Sequence, residues 1–549
     1  MVSNEERHEF LKKVQEAAKG ATGKINNPSG VVVFDTETTG LDFDDSEIIQ
    51  FSAMDGDGNV LLDTLVRPYW SKEWPEAENI NHISPEMTAT APYPHEIAAK
   101  VKEIFNSADT LVAYNAPFDL TMLKSWGIEE QEGQRRFDVM VNFAFIYGEW
   151  NDMRQDYKWQ KLVKCADYYG YDKVFCDGTK AHDSLEDVRA TLYCYNKILE
   201  PLEVTVDELV RDQKENSELY SMNCGKYQRN YNLKVTGKAP KDCSDLLSGF
   251  MGEKLDLSEL DTSETTDMSC FLADCPSLKE VNLTGLDTSN VTNMQGFFDN
   301  CKSLEELDLS SLDTSKVTDM HSFFEKCYSL TEVDLTGLDT SNVTDMDSFF
   351  AGCGSLEKVD LSSLNTSNVA NMGWFFEDCN SLEEVNLAGL DTSNVWNMSC
   401  FFDNCHSLKE VDLAGLDTSK VENMCYFFEN CESLERVDLS DLDTSNVTKM
   451  YSFFENCRSL EEVDLTNLNT SNVKDMNYFF SNCKSLKKLD LSSFNLENCE
   501  DTDYMFENVQ AEIIASDPKI IDEVKFEQDR PKEPEQDIFL ENDIDDIDY

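Results

Sequence analysis

The chain has 549 residues, of which 46 are basic and 107 acidic, so its formal net charge at pH 7 is −61. This length exceeds a single hydrophobic core, and a hydrophobic content of 40% indicates a globular rather than a disordered protein. The charge disfavours long-range attraction to nucleic acid or anionic membranes and favours basic proteins or divalent cations. A simpler interpretation stays open, in which the negative charge only maintains solubility.

No apolar run approaches the ~20 residues that a membrane-spanning helix needs. Residues 1–20 form a charged amphipathic pattern without the apolar centre of a signal peptide. We therefore expect a cytoplasmic protein with no membrane contact, for which a surface location would require non-classical export.

Along the chain, a helical N-terminal arm (1–29) precedes a segment in which strand and helix patterns alternate up to residue 201. Strand patterns cover 31–35, 48–54, 60–66 and 111–114, and helix patterns cover 95–105, 118–126, 159–169 and 184–199. This alternation predicts an α/β domain with a mixed sheet over residues 30–201. Residues 202–245 are predicted to form a connector.

Residues 246–515 repeat with a fixed period. A leucine recurs every 26 residues, at 278, 304, 330, 356, 382, 408, 434, 460 and 486. Such a period predicts a solenoid in which each repeat buries its apolar face against its neighbours. The pattern L-x-x-[VL]-x-L-x-x-L followed by T-S-x-V-x-x-M-x-x-F-F-x-x-C resembles BspA-like leucine-rich repeats, which implies a short strand and then a helical turn. Residues 516–549 are predicted to be an acidic disordered tail.

Nine of the 18 cysteines share one position of the repeat: Cys275, Cys301, Cys327, Cys353, Cys379, Cys405, Cys431, Cys457 and Cys483. Stacked side chains about 5 Å apart are within disulfide reach, but they point in parallel and are odd in number. Reduced cysteines packed in the core are favoured over disulfides. The chain has no C-x-x-C pair and no regular Cys/His cluster, which disfavours a zinc site.

A second column is polar and points outward: Asn282, Asp308, Asp334, Asp360, Asn386, Asp412, Asp438, Asp464 and Asp490. Two residues before each of them stands a glutamate in six repeats and a lysine or arginine in three. The sequence leaves two interpretations open: a solvated surface, or a docking surface for an unidentified basic protein or for cations.

The segment VVVFDTETTG (31–40) carries Asp35 and Glu37 on one face of a strand, and no basic residue within it offsets their repulsion. A divalent cation would turn this repulsion into coordination. Further candidates are Asp119 in LVAYNAPFDLTML (111–123) and His182 with Asp187 in KAHDSLEDVRATL (180–192). In this order and spacing, the five residues resemble the DEDDh family of 3′–5′ exonucleases, with the ribonuclease H-like fold of proofreading subunits such as DNA polymerase III epsilon.

The resemblance implies hydrolysis with two Mg²⁺ or Mn²⁺ ions. Asp35 is expected to bridge both ions, Glu37 and Asp187 to complete the shell of the first, and Asp119 to hold the second. His182 is the expected general base. Residues expected to contact the terminal nucleotides are Thr38, His82, Asn115 and Phe118, for which ordinary structural roles stay open, and Asp138 is a supporting carboxylate.

The sequence thus predicts a metal-dependent 3′–5′ exonuclease that releases nucleoside monophosphates from single-stranded 3′ ends, preferring DNA to RNA, with a solenoid for protein interaction. One alternative is an exoribonuclease. Another is an interaction or scaffold protein whose acidic solenoid carries the main function and whose exonuclease-like domain is inactive or secondary.

Overall fold

The computed structural model of the chain describes residues 2–131, 133–151, 156–176, 183–216 and 229–529. The chain divides into two compact units: the first comprises residues 1–204 with 225–234, and the second comprises 205–224 with 235–549. The finer boundaries at residues 29, 201, 245 and 515 stay predictions.

The described part of residues 2–205 contains nine helices and eight strands. The helices are α1 (Asn4–Lys19), α2 (Pro75–Asn81), α3 (Pro85–Thr88), α4 (Pro94–Asn106), α5 (Ala116–Lys124), α6 (Val139–Tyr147), α7 (Leu162–Tyr168), α8 (Lys173–Cys176) and α9 (Ser184–Leu199). The strands are β1 (Val31–Thr38), β2 (Ile48–Asp55), β3 (Val60–Leu65), β4 (Thr110–Ala113), β5 (Arg135–Asp138), β6 (Trp150–Asn151), β7 (Asp156–Tyr157) and β8 (Leu202–Thr205).

Five strands form a sheet in the order β3-β2-β1-β4-β5. Strands β1, β2 and β3 pair antiparallel, whereas β1–β4 and β4–β5 pair parallel. The predicted mixed sheet is confirmed. The β1–β2 register shifts between Glu37 and Thr38, and such a bulge changes the direction of the side chains beside it.

Residues 31–34 of the central strand β1 are apolar on both faces, because helices cover both sides of the sheet. Val32 and Phe34 pack in a core with α1, α4 and α5, and Val33 packs in a second core with α6, α7 and α9. Helix α1, predicted as an arm, contributes Phe10 and other buried residues to the first core. Its start is fixed by a capping box between Ser3 and Glu6.

The rest of the chain contains α10 (Val206–Asn216), β9 (Asn232–Lys238) and, in the repeats, short strands. These strands are β10 (Lys254–Asp261), β11 (Glu280–Asn282), β12 (Lys358–Asp360), β13 (Glu384–Asn386), β14 (Arg436–Asp438), β15 (Glu462–Asp464), β16 (Lys488–Leu491) and β17 (Glu512–Ala515). The predicted connector therefore contains regular secondary structure. The pairs β12–β13 and β14–β15 are parallel and join residues 26 apart.

Successive repeats are joined in register. Parallel bridges link each of the following residues to the next: Asp267, Asn293, Asp319, Asp345, Asn371, Asn397, Asn423, Lys449, Asp475 and Asp501. Inside, the rings of Phe298, Phe324 and Phe350 stack with centroid separations of 5.8 and 5.4 Å. The repeats thus bury their apolar residues against one another.

The D-T-S triplet of the repeat also joins neighbours. The Thr314 hydroxyl donates to the carbonyl of Asp339 at 2.9 Å and accepts from its N–H at 2.8 Å. Asp313 accepts from the N–H of Ser315 at 3.0 Å, which closes a local turn. Thr314 is buried and joins two repeats, whereas Asp313 stabilises a turn within its own repeat.

The M-x-x-F-F segments differ from the expected helical turn. The N–H of Phe324 donates to Phe349 O of the next repeat, whereas the N–H of Glu325 donates to Ser322 O three residues earlier. Ser322 and Lys326 adopt positive φ angles of 56° and 57°, which interrupts any helix. These segments are turns bonded to the following repeat.

The nine register cysteines are buried and free. The thiol of Cys327, for example, donates to the carbonyl of Phe298 at 3.3 Å. The expectation of reduced core cysteines agrees with this packing.

The segment predicted to be a disordered tail (516–549) contains a helix near its start. Helix α11 (Pro518–Asp529) starts after Asp517, whose carboxylate accepts from the N–H of Lys519, and it buries Ile520. Its first residue is a proline, which suits the start of a helix. In the described parts of the chain, none of the helices has the length and apolar character needed to cross a membrane.

Candidate active site

Three predicted carboxylates meet at the edge of the sheet. Asp35 and Glu37 on β1 and Asp187 on α9 each offer an oxygen, and these oxygens lie within 4.8 Å of one another. The two acids of β1 alternate along the strand and therefore share a face. The structure brings together three of the five residues predicted to be catalytic.

Helix α9 is attached to β1 at its first residue. The hydroxyl of Ser184 donates to Asp35 O at 3.1 Å. Asp183 caps the helix by accepting from the N–H groups of Leu185 and Glu186. Asp187 lies one turn further on, so the cap and the serine together position its carboxylate beside β1.

Asp119 is placed differently from these three. It lies in the first turn of α5, is 3% exposed, and accepts from both the N–H and the hydroxyl of Thr36 at 2.9 and 2.6 Å. Thr36 stands between Asp35 and Glu37 on β1. Asp119 is therefore bound to the same strand, but it lies outside the group of three close oxygens.

Burial and mutual repulsion raise the pKa of these acids. Burial raises the pKa of Asp35 to about 7, and the charge of Asp183 adds to it. Burial, followed by the charges of Asp35 and Asp187, raises the pKa of Glu37 to about 10. Asp119 also has a pKa well above its ordinary value, through burial and then Asp35. A cation would relieve all of these shifts.

The donors fit a hard divalent ion. Asp35 Oδ2 is buried and has no hydrogen-bond partner, which is costly for a carboxylate oxygen unless an ion occupies that position. The close group offers only carboxylate oxygens, the ligands that Mg²⁺ and Mn²⁺ prefer. The residues present therefore fit the predicted metal.

The predicted substrate residues surround this edge in different ways. Thr38 is buried, and its hydroxyl donates to Gly40 O at 2.6 Å, so it closes a turn. His82 is exposed at the C-cap of α2, directly after Asn81, whose amide donates to Thr38 O at 3.2 Å. Of these two, His82 is the one whose side chain faces solvent.

The other two lie at the start of α5. Asn115 is the N-cap residue, with φ of 70° and no capping bond from its side chain. Phe118 is partly buried and its ring lies 5.6 Å from that of Phe43, which is 50% exposed. Leu41 nearby in sequence is 82% exposed. Sequence analysis missed these two apolar residues, although they stand in the polar loop GLDFDDS.

Asp138 supports the turn that carries Asn115. It caps α6 by accepting from the N–H groups of Met140 and Val141, and it also accepts from those of Asn115 and Ala116 at 3.3 and 2.9 Å. Burial raises its pKa in spite of these bonds. Its contacts are those of a positioning residue.

One predicted residue of the site lies outside the described part of the chain, and one buried acid was not predicted. His182 lies outside the described residues, so its place in the site stays a prediction. Sequence analysis missed Glu47, a buried acid that accepts from three consecutive N–H groups, of Tyr69, Trp70 and Ser71. An acid just before the apolar strand β2 was the available signal.

Comparisons with known proteins agree with this geometry. Residues 32–195 match a family described as Exonuclease. A protein named uncharacterized exonuclease CP81, from Escherichia phage 186, is 36% identical over 171 residues, which cover 29% of this chain and 84% of the phage protein. The chain belongs to this exonuclease family. The predicted resemblance to exonucleases is therefore confirmed.

Other relatives share only this part. A PolC-type DNA polymerase III of Caldanaerobacter subterraneus is 29% identical over 179 residues, covering 31% of this chain and 12% of the polymerase. The DNA polymerase III epsilon subunit of Treponema pallidum is 35% identical over 95 residues, covering 17% of this chain and 43% of the subunit. The chain thus spans less than half of either protein.

Among solved structures, a zinc-bound complex of E. coli exonuclease I with single-stranded DNA matches with 19% identity and a TM-score of 0.26, covering 35% of this chain and 45% of the other. The repeats match a family described as Mycoplasma protein of unknown function, DUF285, at residues 241–337, 328–434 and 401–515. That family confirms the repeats, and their leucine-rich-repeat character stays a prediction.

Proposed function

We propose that the chain is a metal-dependent 3′–5′ exonuclease that releases nucleoside monophosphates from single-stranded 3′ ends, with DNA preferred to RNA. The observation that carries this proposal is the group formed by Asp35, Glu37 and Asp187, with their oxygens within 4.8 Å. Asp35 Oδ2, buried without a partner, indicates that the group is built around a cation.

In this proposal, Asp35, Glu37, Asp187 and Asp119 hold two Mg²⁺ or Mn²⁺ ions. When bound, such ions supply Lewis-acid stabilisation of the negative charge that develops on the phosphodiester. The protein contributes the arrangement. Ser184 holds α9 to β1, and Thr36 holds Asp119 to the same strand, so that all four carboxylates are positioned before substrate binds.

Two side chains complete the proposed chemistry. His182 accepts the proton of the attacking water, a role for which an imidazole is suited. Phe118, with the exposed ring of Phe43 at 5.6 Å, provides an apolar surface against which the terminal base stacks. His82 and Asn115 contact the terminal phosphates.

The charge of the domain restricts the substrate. Residues 1–200 contain 35 acids and 20 bases, so binding along a long nucleic acid backbone is electrostatically unfavourable. We therefore propose that the enzyme holds only a few nucleotides at a free end. The preference for DNA rests on the segments INHISPEM (80–87, with His82) and NAPFD (115–119, with Asn115), which resemble proofreading domains, and the named relatives include DNA polymerases.

The test uses purified full-length protein with 5′-labelled single-stranded DNA and RNA of identical sequence, in Mg²⁺, Mn²⁺ or EDTA. Stepwise shortening from the 3′ end is expected with metal, faster on DNA, and lost in EDTA. Asp35→Asn is expected to reduce the rate at least about a hundredfold, since removal of supporting groups alone costs 10–100-fold.

Asp63→Asn is the matched control, because Asp63 is an exposed acid of the same sheet that accepts from Ser52 and Gln50 on β2. Its rate should equal that of the unmodified protein. Faster shortening of RNA would assign an exoribonuclease. No shortening of either strand at several Mn²⁺ concentrations would refute the enzyme and leave the interaction role of the repeats as the main function.

We further propose that residues 246–515 form a leucine-rich-repeat-type solenoid for protein interaction. Parallel bridges between successive repeats and stacked phenylalanines support this. The outward column that includes Asp308 and Asp438 offers its carboxylates to a basic protein.

A further inference from the structure

One position of the repeat pairs a hydroxyl with an acid three residues later. The hydroxyl of Ser322 donates to Glu325 Oε2 at 2.6 Å, and that of Ser452 donates to Glu455 Oε2 at 2.7 Å. At the same register position, a third repeat carries Cys400, followed three residues later by Asp403. A thiol is a much weaker donor than a hydroxyl.

The carboxylate of Asp403 has one unsatisfied oxygen. Asp403 is 9% exposed, and its Oδ1 is buried with no hydrogen-bond partner. Its pKa is raised to about 7, first by burial and then by the charge of Glu377, although Asn430 and the N–H of Asn404 act against this. A buried acceptor without a donor points to a missing ligand.

The neighbours of Asp403 are themselves ligand types. A carboxylate oxygen of Glu377, the sulfur of Cys400 and a carboxylate oxygen of Asp403 lie within 4.8 Å of one another. They line a cavity of about 280 Å³, which Cys425 and Glu429 also line.

The cavity reaches the surface. Trp374, which is 38% exposed, also lines it. An ion can therefore enter without unfolding of the repeats.

The geometry points to a second metal site: we propose that Glu377, Cys400 and Asp403 bind a zinc-class divalent ion. A thiolate with two carboxylates is a donor set for a borderline-soft ion, unlike the all-oxygen group of the exonuclease domain. Around a tetrahedral Zn²⁺, neighbouring ligand atoms are roughly 3.3–3.8 Å apart, so small side-chain rotations suffice. Glu429 lies on the same cavity to supply the fourth ligand.

The sequence disfavours a zinc site because it lacks the usual zinc motifs, in which the ligands stand close together in the chain. Here the ligands come from successive repeats, and Glu377 precedes Cys400 by 23 residues. Stacking brings them together, so no local motif marks the site.

The test is a Co²⁺ titration of the full chain in the presence of a non-thiol reductant, read by thiolate-to-cobalt charge-transfer absorption. The all-oxygen exonuclease site gives no such band, and the nine register thiols are fully buried. We expect one saturable band that is displaced by Zn²⁺. Cys400→Ser should abolish it, and Asp403→Asn should weaken Co²⁺ binding at least about tenfold.

Cys270→Ser is the matched control. Cys270 occupies the same register position, but an alanine, Ala273, stands three residues later where Cys400 has Asp403. This variant should titrate like the unmodified protein. Cys400→Ser recreates the serine of the satisfied repeats and should keep its melting temperature. If it does not fold, Asp403→Asn decides the question.

Absence of the band in the unmodified protein would overturn the proposal. A band of full strength in Cys400→Ser, or equal affinity in Asp403→Asn, would overturn it as well.

Discussion

The carboxylate group of the exonuclease domain should destabilise the fold when no cation is bound, and Asp35→Asn tests this. Burial raises the pKa of Asp35 in the folded protein from 3.8 to about 7. The folded state therefore binds its proton more tightly than the unfolded state does. As pH rises from 3.8 to 7 the free energy of unfolding falls, and above pH 7 the loss is constant.

The magnitude follows from the shift. About three pKa units at 1.36 kcal/mol each give a loss of about 4 kcal/mol above pH 7 and below about 1 kcal/mol at pH 4. The amide that replaces the carboxylate is also buried, and its burial reduces the stabilisation by about 1–2 kcal/mol. In EDTA at pH 8, Asp35→Asn should thus stabilise the exonuclease domain by about 2–3 kcal/mol, which raises its Tm by roughly 5–10 °C.

Thermal unfolding followed by circular dichroism at pH 8 and pH 4, with EDTA or Mn²⁺, measures this. At pH 4 the gain of Asp35→Asn should disappear and become a loss of up to about 1 kcal/mol, because the cost of the buried amide then exceeds the small gain from removing the carboxylate. Mn²⁺ should raise the Tm of the unmodified protein and not that of the variant, and Asp63→Asn should follow the unmodified protein throughout. A lower Tm of Asp35→Asn than of the unmodified protein in EDTA at pH 8, or an equal gain at both pH values, would refute the reasoning.

Three other outcomes are expected. Asp138→Ala removes the cap of α6 and the bonds to the turn before α5, so it should lower the free energy of unfolding, measured in urea, by about 1–3 kcal/mol. The control is Asp167→Ala, since Asp167 is exposed on α7, and this variant should show no measurable change. Thr314→Val should cost about 1–3 kcal/mol, since it removes both bonds to Asp339; an unchanged urea midpoint would contradict this. The nine register thiols should resist a thiol reagent until the protein unfolds, and rapid labelling of the native protein would show that they are accessible.

The sequence predicts much of the active site because its carboxylates stand in regular elements. Asp35 and Glu37 alternate on an apolar strand, and Asp187 follows a capped helix start, so their convergence follows from the α/β pattern. The separate position of Asp119 could not be predicted in this way. It depends on the hydroxyl of Thr36, which holds it at 2.6 Å, and a threonine in a strand gives no such signal by itself.

In the repeats, the period predicts stacking but not the local backbone. The expected helical turn would need negative φ angles, yet Ser322 and Lys326 have positive ones. These residues donate their N–H groups to Asp347 O and Ala351 O of the next repeat. Bonds between repeats outweigh the bonds of an isolated helical turn, and a propensity argument about one repeat does not include them.

The acidic surface of the repeats also arises from bonds within each repeat. Asp308 and Asp438 in the outward column accept from the N–H groups of Ser310 and Ser440, and Asp313 does so in the D-T-S triplet. The side chain of each serine, and then its N–H group, lower the pKa of the aspartate. An aspartate that shapes the same turn in most repeats produces a column of charge whether or not a partner exists.

Some of the neighbouring glutamates are also paired. Glu280 Oε2 lies 2.6 Å from Lys254 Nζ, and Glu384 Oε2 lies 3.1 Å from Lys358 Nζ. Each lysine belongs to the preceding repeat. Exposed pairs of this kind are weak, but they reduce the local field. A basic partner would therefore meet fewer uncompensated carboxylates than the net charge suggests.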